Sequence, residues 1–128
     1  MILSANTNRR VLWTVRVLLA LAFSAAGTAK LASAAPMVQI FDLIGIGQWF
    51  RYLTGFVEVA GAVLLLVPST GFVGGLLLCL TMAFAVMTHL LIIGGNPVPA
   101  IVLAVLSGLV AYRLRPVGGV LVNSGAAR

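Results

Sequence analysis

Four side chains in this sequence have the chemistry of a site, and each sits in unusual company. Glu58 is one of only two acidic residues in a chain of 128. It stands in "GFVEVAGAVLLLVP", residues 55–68, and no further charge follows until Arg113. Lys30 in "AAGTAKL" and His89 in "THLLIIGG" interrupt two other apolar runs, and Asn96 follows in the turn "GGNP". A carboxylate, an ammonium, an imidazole and an amide can together exchange protons near neutral pH, or hold the polar head of an amphipathic molecule. They also have a purely structural use, because opposite charges inside a membrane pair with each other and fix helix register. Lys30 is the natural counter-charge for Glu58, its long stem able to reach inward. Arg51, about two helical turns away on the same run, is the rival.

Other chemistries are excluded by what the chain lacks. Cys79 is its one cysteine, so there is no internal disulfide and no CxxC redox pair. With one histidine, no pair has haem or metal spacing, and no metal site is expected. No strand is read, so no glycine-rich phosphate loop follows one. The net charge of +6 comes from basic residues that flank apolar runs rather than forming a soluble patch. They set membrane orientation, and nucleic acid is not an expected partner.

Something must hold these residues at one place. Hydrophobic residues make up 62% of the chain and charged residues 8%, far from the balance of a soluble domain. A lipid bilayer is the expected surroundings. Four apolar runs stand out: 11–32, 52–67, 71–93 and 98–113. Pro68-Ser69-Thr70-Gly71 and Gly94-Gly95-Asn96-Pro97 separate the last three with tight turns. The expectation is an all-α polytopic membrane protein, a bundle of four antiparallel transmembrane helices over 11–115. A cytoplasmic segment at 1–10 precedes it, and a flexible cytoplasmic tail at 116–128 follows. Residues 36–44, opened by Pro36 and stopped by Gly45 and Gly47, read as a short interfacial helix between the first two spans. The first run also resembles a secretory leader, but Lys30, Arg16 and Pro36 break that pattern and favour an uncut helix.

Arg9, Arg10, Arg16, Arg113, Arg115 and Arg128 fall at one side of this arrangement, which places both termini in the cytoplasm of a bacterial inner membrane. On the other side Lys30, Glu58, His89 and Asn96 reach similar depth, Glu58 about 10 Å and His89 about 6 Å inside the boundary. Arg16 is expected to snorkel as an anchor. Small residues accompany the polar ones, with Gly55 and Gly61 beside Glu58 and Gly71 and Gly75 on the His89 helix. Small residues are where membrane helices pack closely.

"AAGTAKL", "GFVEVAGAVLLLVP" and "THLLIIGG" resemble the DoxX-like family of small four-helix bacterial membrane proteins, over roughly residues 15–113. The G-x-x-E-x-x-G-A segment is the most specific piece. The family takes its name from the membrane subunit of a thiosulfate:quinone oxidoreductase, and some relatives act as assembly chaperones. The resemblance implies a quinone-linked role, with Lys30, Glu58 and His89 matching the family pattern. Three classes of function follow. One is a redox accessory that binds a quinone beside a partner oxidoreductase, with no intrinsic cofactor. Another is a scaffold or assembly factor, alone or as a homo-oligomer, whose polar cluster is only structural. The third is a small permease, which lacks the similarity between halves that inverted-repeat transporters carry.

Overall fold

The computed structural model of the chain describes residues 4–116. Among these residues there are five α-helices and no strand: α1 (Ala5–Leu31), α2 (Ala35–Ile44), α3 (Trp49–Leu66), α4 (Gly71–Thr88) and α5 (Val98–Leu114). A 3-10 turn, Pro68–Thr70, leads into α4, and a π-helical turn, His89–Ile93, extends it. α1 starts before the apolar run because Ser4 caps it, its hydroxyl accepting from the Thr7 amide at 3.1 Å. Residues 5–10 of the segment expected at 1–10 are therefore helix, and residues 1–3 lie outside the described residues. The membrane-like pattern marks where lipid begins, not where helical hydrogen bonding begins. The tail expected at 116–128 lies, from 117 onward, outside the described residues.

Three helical stretches are long and apolar enough to cross a membrane: Ala5–Leu31, Trp49–Leu66 and Pro68–Ile93. α5 is also apolar but has 17 residues, against 18 in the shortest of the three. The helix boundaries follow local chemistry. Pro36 lies in the first turn of α2 and Gly45 ends that helix at φ +86°. Gly94 and Gly95, at φ +70° and +79°, turn the chain from the π turn into α5 with a backbone that other residues strain to adopt.

α1, α3, α4 and α5 form a ring in which α3 lies between α1 and α4, and α5 closes back on α1. Neighbours run antiparallel: the first half of α1 meets the end of α3, where Arg16 reaches Leu65, and Gly71 of α4 lies against Leu114 of α5. Phe23, Leu65, Leu78 and Val110 fill the middle and are fully buried. The outside is apolar, with Leu21, Phe56, Phe84 and Leu109 each more than half exposed. Water would penalise that surface and lipid does not, so the same residues that solvate the bundle in a membrane leave its small core sufficient. α2 caps one end of the ring, packing against α3 and the π turn.

Candidate functional site

The α1–α3 crossing is built on two glycines. A Cβ on Gly27 would lie 2.7 Å from the Gly55 carbonyl oxygen, and one on Gly55 would lie 2.9 Å from that of Gly27. These distances are too short for any side chain, so the backbones touch. Lys30 is three residues past Gly27 and Glu58 three past Gly55, on helices that run in opposite directions. Helical side chains lean toward their own N-terminus, so the two lean toward each other across the crossing. The Lys30 Cβ sits beside Gly55 and the Glu58 Cβ beside Gly27. Lys30 Nζ donates to Glu58 Oε1 at 2.8 Å. The Glu58 side chain is 2% exposed and that of Lys30 13%.

Arg51 is buried too, but it serves a different contact. Its Nε donates to Gln48 Oε1 at 2.6 Å, and its Nη1 donates to the Lys30 carbonyl. Gln48 in turn donates through Nε2 to Asp42 Oδ1 at 2.8 Å and to the Val38 carbonyl at 3.1 Å. Arg51 and Gln48 thus clasp α2 to the end of α1 and leave Glu58 to Lys30.

Below α2 lies a cavity of about 400 Å³. Its walls are mainly apolar, with Phe23, Phe41, Phe50 and Met82 among them, and Lys30, Glu58 and His89 also line it. This is the usual character of a small-molecule site: concave, mostly apolar, with a few convergent polar groups. His89 opens the π turn, which is closed by the Gly94 amide donating to the His89 carbonyl at 2.9 Å. Such turns are frequent at functional sites because they shift one residue out of α-helical register. The His89 Nδ1 lies 2.9 Å from the Ala85 carbonyl, which can only accept, so Nδ1 carries a proton, and the neutral tautomer that fits this contact has its lone pair at Nε2.

Asn96 is not among the cavity residues. It is exposed in the turn, where its Oδ1 accepts from the Val98 amide at 3.0 Å and starts α5. Of the glycines expected to pack helices, Gly55 forms the α1–α3 crossing, Gly61 receives Leu78 of α4, and Gly75 lies against the backbone of Ser107 and Ala111 in α5. Gly71 makes room for the Arg16 guanidinium. The face of α1 that carries Lys30 also carries Gly27, and the face of α3 that carries Glu58 also carries Thr54, as helical spacing predicts; sequence reasoning missed Gly74, the inner face of α2, and the threonines Thr81 and Thr88 in the cavity wall. Threonines in an apolar helix were the available signal, since each must place its hydroxyl somewhere.

A DoxX-like family model matches residues 14–112, nearly the stretch over which the three motifs carry the resemblance. The chain belongs to the DoxX-like family. Comparison with curated proteins and with solved structures finds no match. The DoxX-like match spans α1 from Thr14 through most of α5, so the whole cavity lies inside it. Family membership and the apolar helices together make this a membrane protein.

Proposed function

We propose that this DoxX-like protein is a quinone-linked accessory subunit, binding an amphipathic ring compound in the cavity beside a partner oxidoreductase that carries the electrons. The observation behind this reading is the meeting of the Lys30–Glu58 pair and His89 in one apolar cavity. A volume of about 400 Å³ suits a substituted ring better than a whole lipid. The chain has one histidine, one cysteine and two acidic residues, so a metal-based electron path would run through the partner. The chain spans a bacterial inner membrane four times, through α1, α3, α4 with its flanking turns, and α5, while α2 lies in the interface. Arg9, Arg10, Arg16, Arg113 and Arg115 collect at one end, and by the positive-inside rule this supports cytoplasmic termini and a cavity in the outer leaflet.

The scaffold or assembly-factor reading has one observation in its favour: Lys30 and Glu58 satisfy each other with no ligand needed. Quinone-analogue binding separates the two. Wild type, the neutral pair Lys30→Met with Glu58→Gln, and His89→Gln are compared in lipid nanodiscs, each at the same interval below its own melting temperature. Both variants should bind at least about tenfold more weakly, or about 1.4 kcal/mol. Equal binding by all three, or none by wild type, would leave the scaffold as the account of this fold.

A further inference from the structure

We infer that the head group this cavity selects is a neutral hydroxyl that donates a hydrogen bond, rather than a carbonyl or ether that only accepts one. The inference rests on the ligand-site reading and comes from an inventory of what the cavity wall has left to offer. Thr54, Thr81 and Thr88 each donate their hydroxyl proton to the carbonyl four residues earlier, those of Phe50, Leu77 and Phe84, at 2.8 Å. Their remaining capacity is oxygen lone pairs. His89 has its Nδ1 proton committed to Ala85, and in the tautomer that fits this contact Nε2 is an acceptor. Glu58 gives Oε1 to Lys30, and Oε2 has no protein donor among the described residues. Against these acceptors, Lys30 alone among the lining side chains supplies uncommitted protons, the two on Nζ not given to Glu58.

A carbonyl or ether would meet Lys30 and leave the acceptor wall unmatched. A hydroxyl accepts from Lys30 through its oxygen and donates its proton to Glu58 Oε2 or His89 Nε2, so it pairs with both kinds of group. Sites built around a hydroxyl reject the analogue lacking it, because buried partners are then left unmatched. A cationic amine would also donate, but Lys30 already neutralises Glu58, and a second ammonium would stand uncompensated beside the first. For a quinone couple, the cavity therefore holds the reduced, hydroxyl-bearing member more tightly than the oxidised one.

The probes are 4-octylphenol and its methyl ether, 4-octylanisole, which differ in the donor proton and share the tail. Ligand-induced shifts in thermal unfolding are read in lipid nanodiscs, at equal membrane concentrations set by partitioning into empty nanodiscs. The phenol should bind wild type at least about tenfold more tightly than the anisole, and Glu58→Gln and His89→Leu should each shrink that ratio. Equal or tighter binding of the anisole would overturn the donor assignment while leaving the cavity as a ligand site. A tenfold ratio unchanged in both variants would overturn the assignment of Glu58 and His89 as its acceptors. Binding of neither probe, together with no binding of the quinone analogue, would remove the ligand site itself.

Discussion

Each end of this bundle holds one cation from α1, buried in one case and partly buried in the other, and the two ends treat it differently. Arg16 is 3% exposed, and carbonyls hold it: Nε donates to Leu65 O at 2.8 Å and Nη2 to Val67 O at 2.9 Å. Leu65 lies in the last turn of α3 and Val67 caps it, where the helix dipole is negative, and the Val67 carbonyl also accepts from the Thr70 amide at 3.2 Å. Trp13 covers the guanidinium at 3.9 Å, and Gly71 lets α4 close over it. The expected snorkelling anchor is instead an internal helix cap. Lys30, four turns along the same helix by its period, meets a carboxylate and opens on a cavity. An arginine fork matches several fixed carbonyls, whereas a lysine is a compact charge with protons to spare. The arginine end closes the fold, and the lysine end leaves groups available.

That contrast is sharpest in the ion pair. Glu58→Ala strands Lys30 beside the cavity and should destabilise the protein by about 3–5 kcal/mol, read as a lowered melting temperature in detergent. Lys30→Ala should do the same, with the double variant less damaged than the sum of the two. Strict additivity would show that the two residues do not interact. The next effect belongs to the other end. Arg16→Met removes two charge-assisted hydrogen bonds to α3 carbonyls and should lower stability by about 3 kcal/mol. Binding of the quinone analogue, compared at matched stability, should be unchanged; a binding loss there would break the division between a structural end and a ligand end. The smallest effect is expected at Asn96, which the sequence groups with the site and the fold places in a turn. Asn96→Ala should lower stability by about 1 kcal/mol or less and leave analogue binding as in wild type.

Much of the architecture was legible because lipid imposes a simple code. The apolar runs, the proline and glycine breaks and the short helix near 36–44 all appear as helices or turns near the expected places. Less of the site was legible. Depth along each helix follows from residue counting, and depth brought Lys30, Glu58, His89 and Asn96 together on paper. Direction around each helix is finer, and in Asn96 it depends on a turn whose backbone no periodicity describes. The π turn at His89–Ile93 is a further case, since it shifts the helix register by one residue without leaving a mark in the apolar pattern. Arg51 shows the same gap: it is close enough along the helix to reach Glu58, yet it joins the Gln48 clasp.

By itself, the sequence determined that this chain is helical, lives in lipid, and carries a few ionisable groups that must find partners inside. Composition and spacing suffice for that, because the bilayer penalises every unpaired charge and every broken backbone hydrogen bond. Tertiary structure decided which partners those groups find. Gly27 lies against Gly55, and that single close approach brings Lys30 and Glu58 within hydrogen-bond distance. The ring of helices leaves a cavity under α2, and the threonine hydroxyls turn back to their own helices. Contacts between distant segments depend on rotation and offset in three dimensions, which a one-dimensional pattern of apolar residues does not encode.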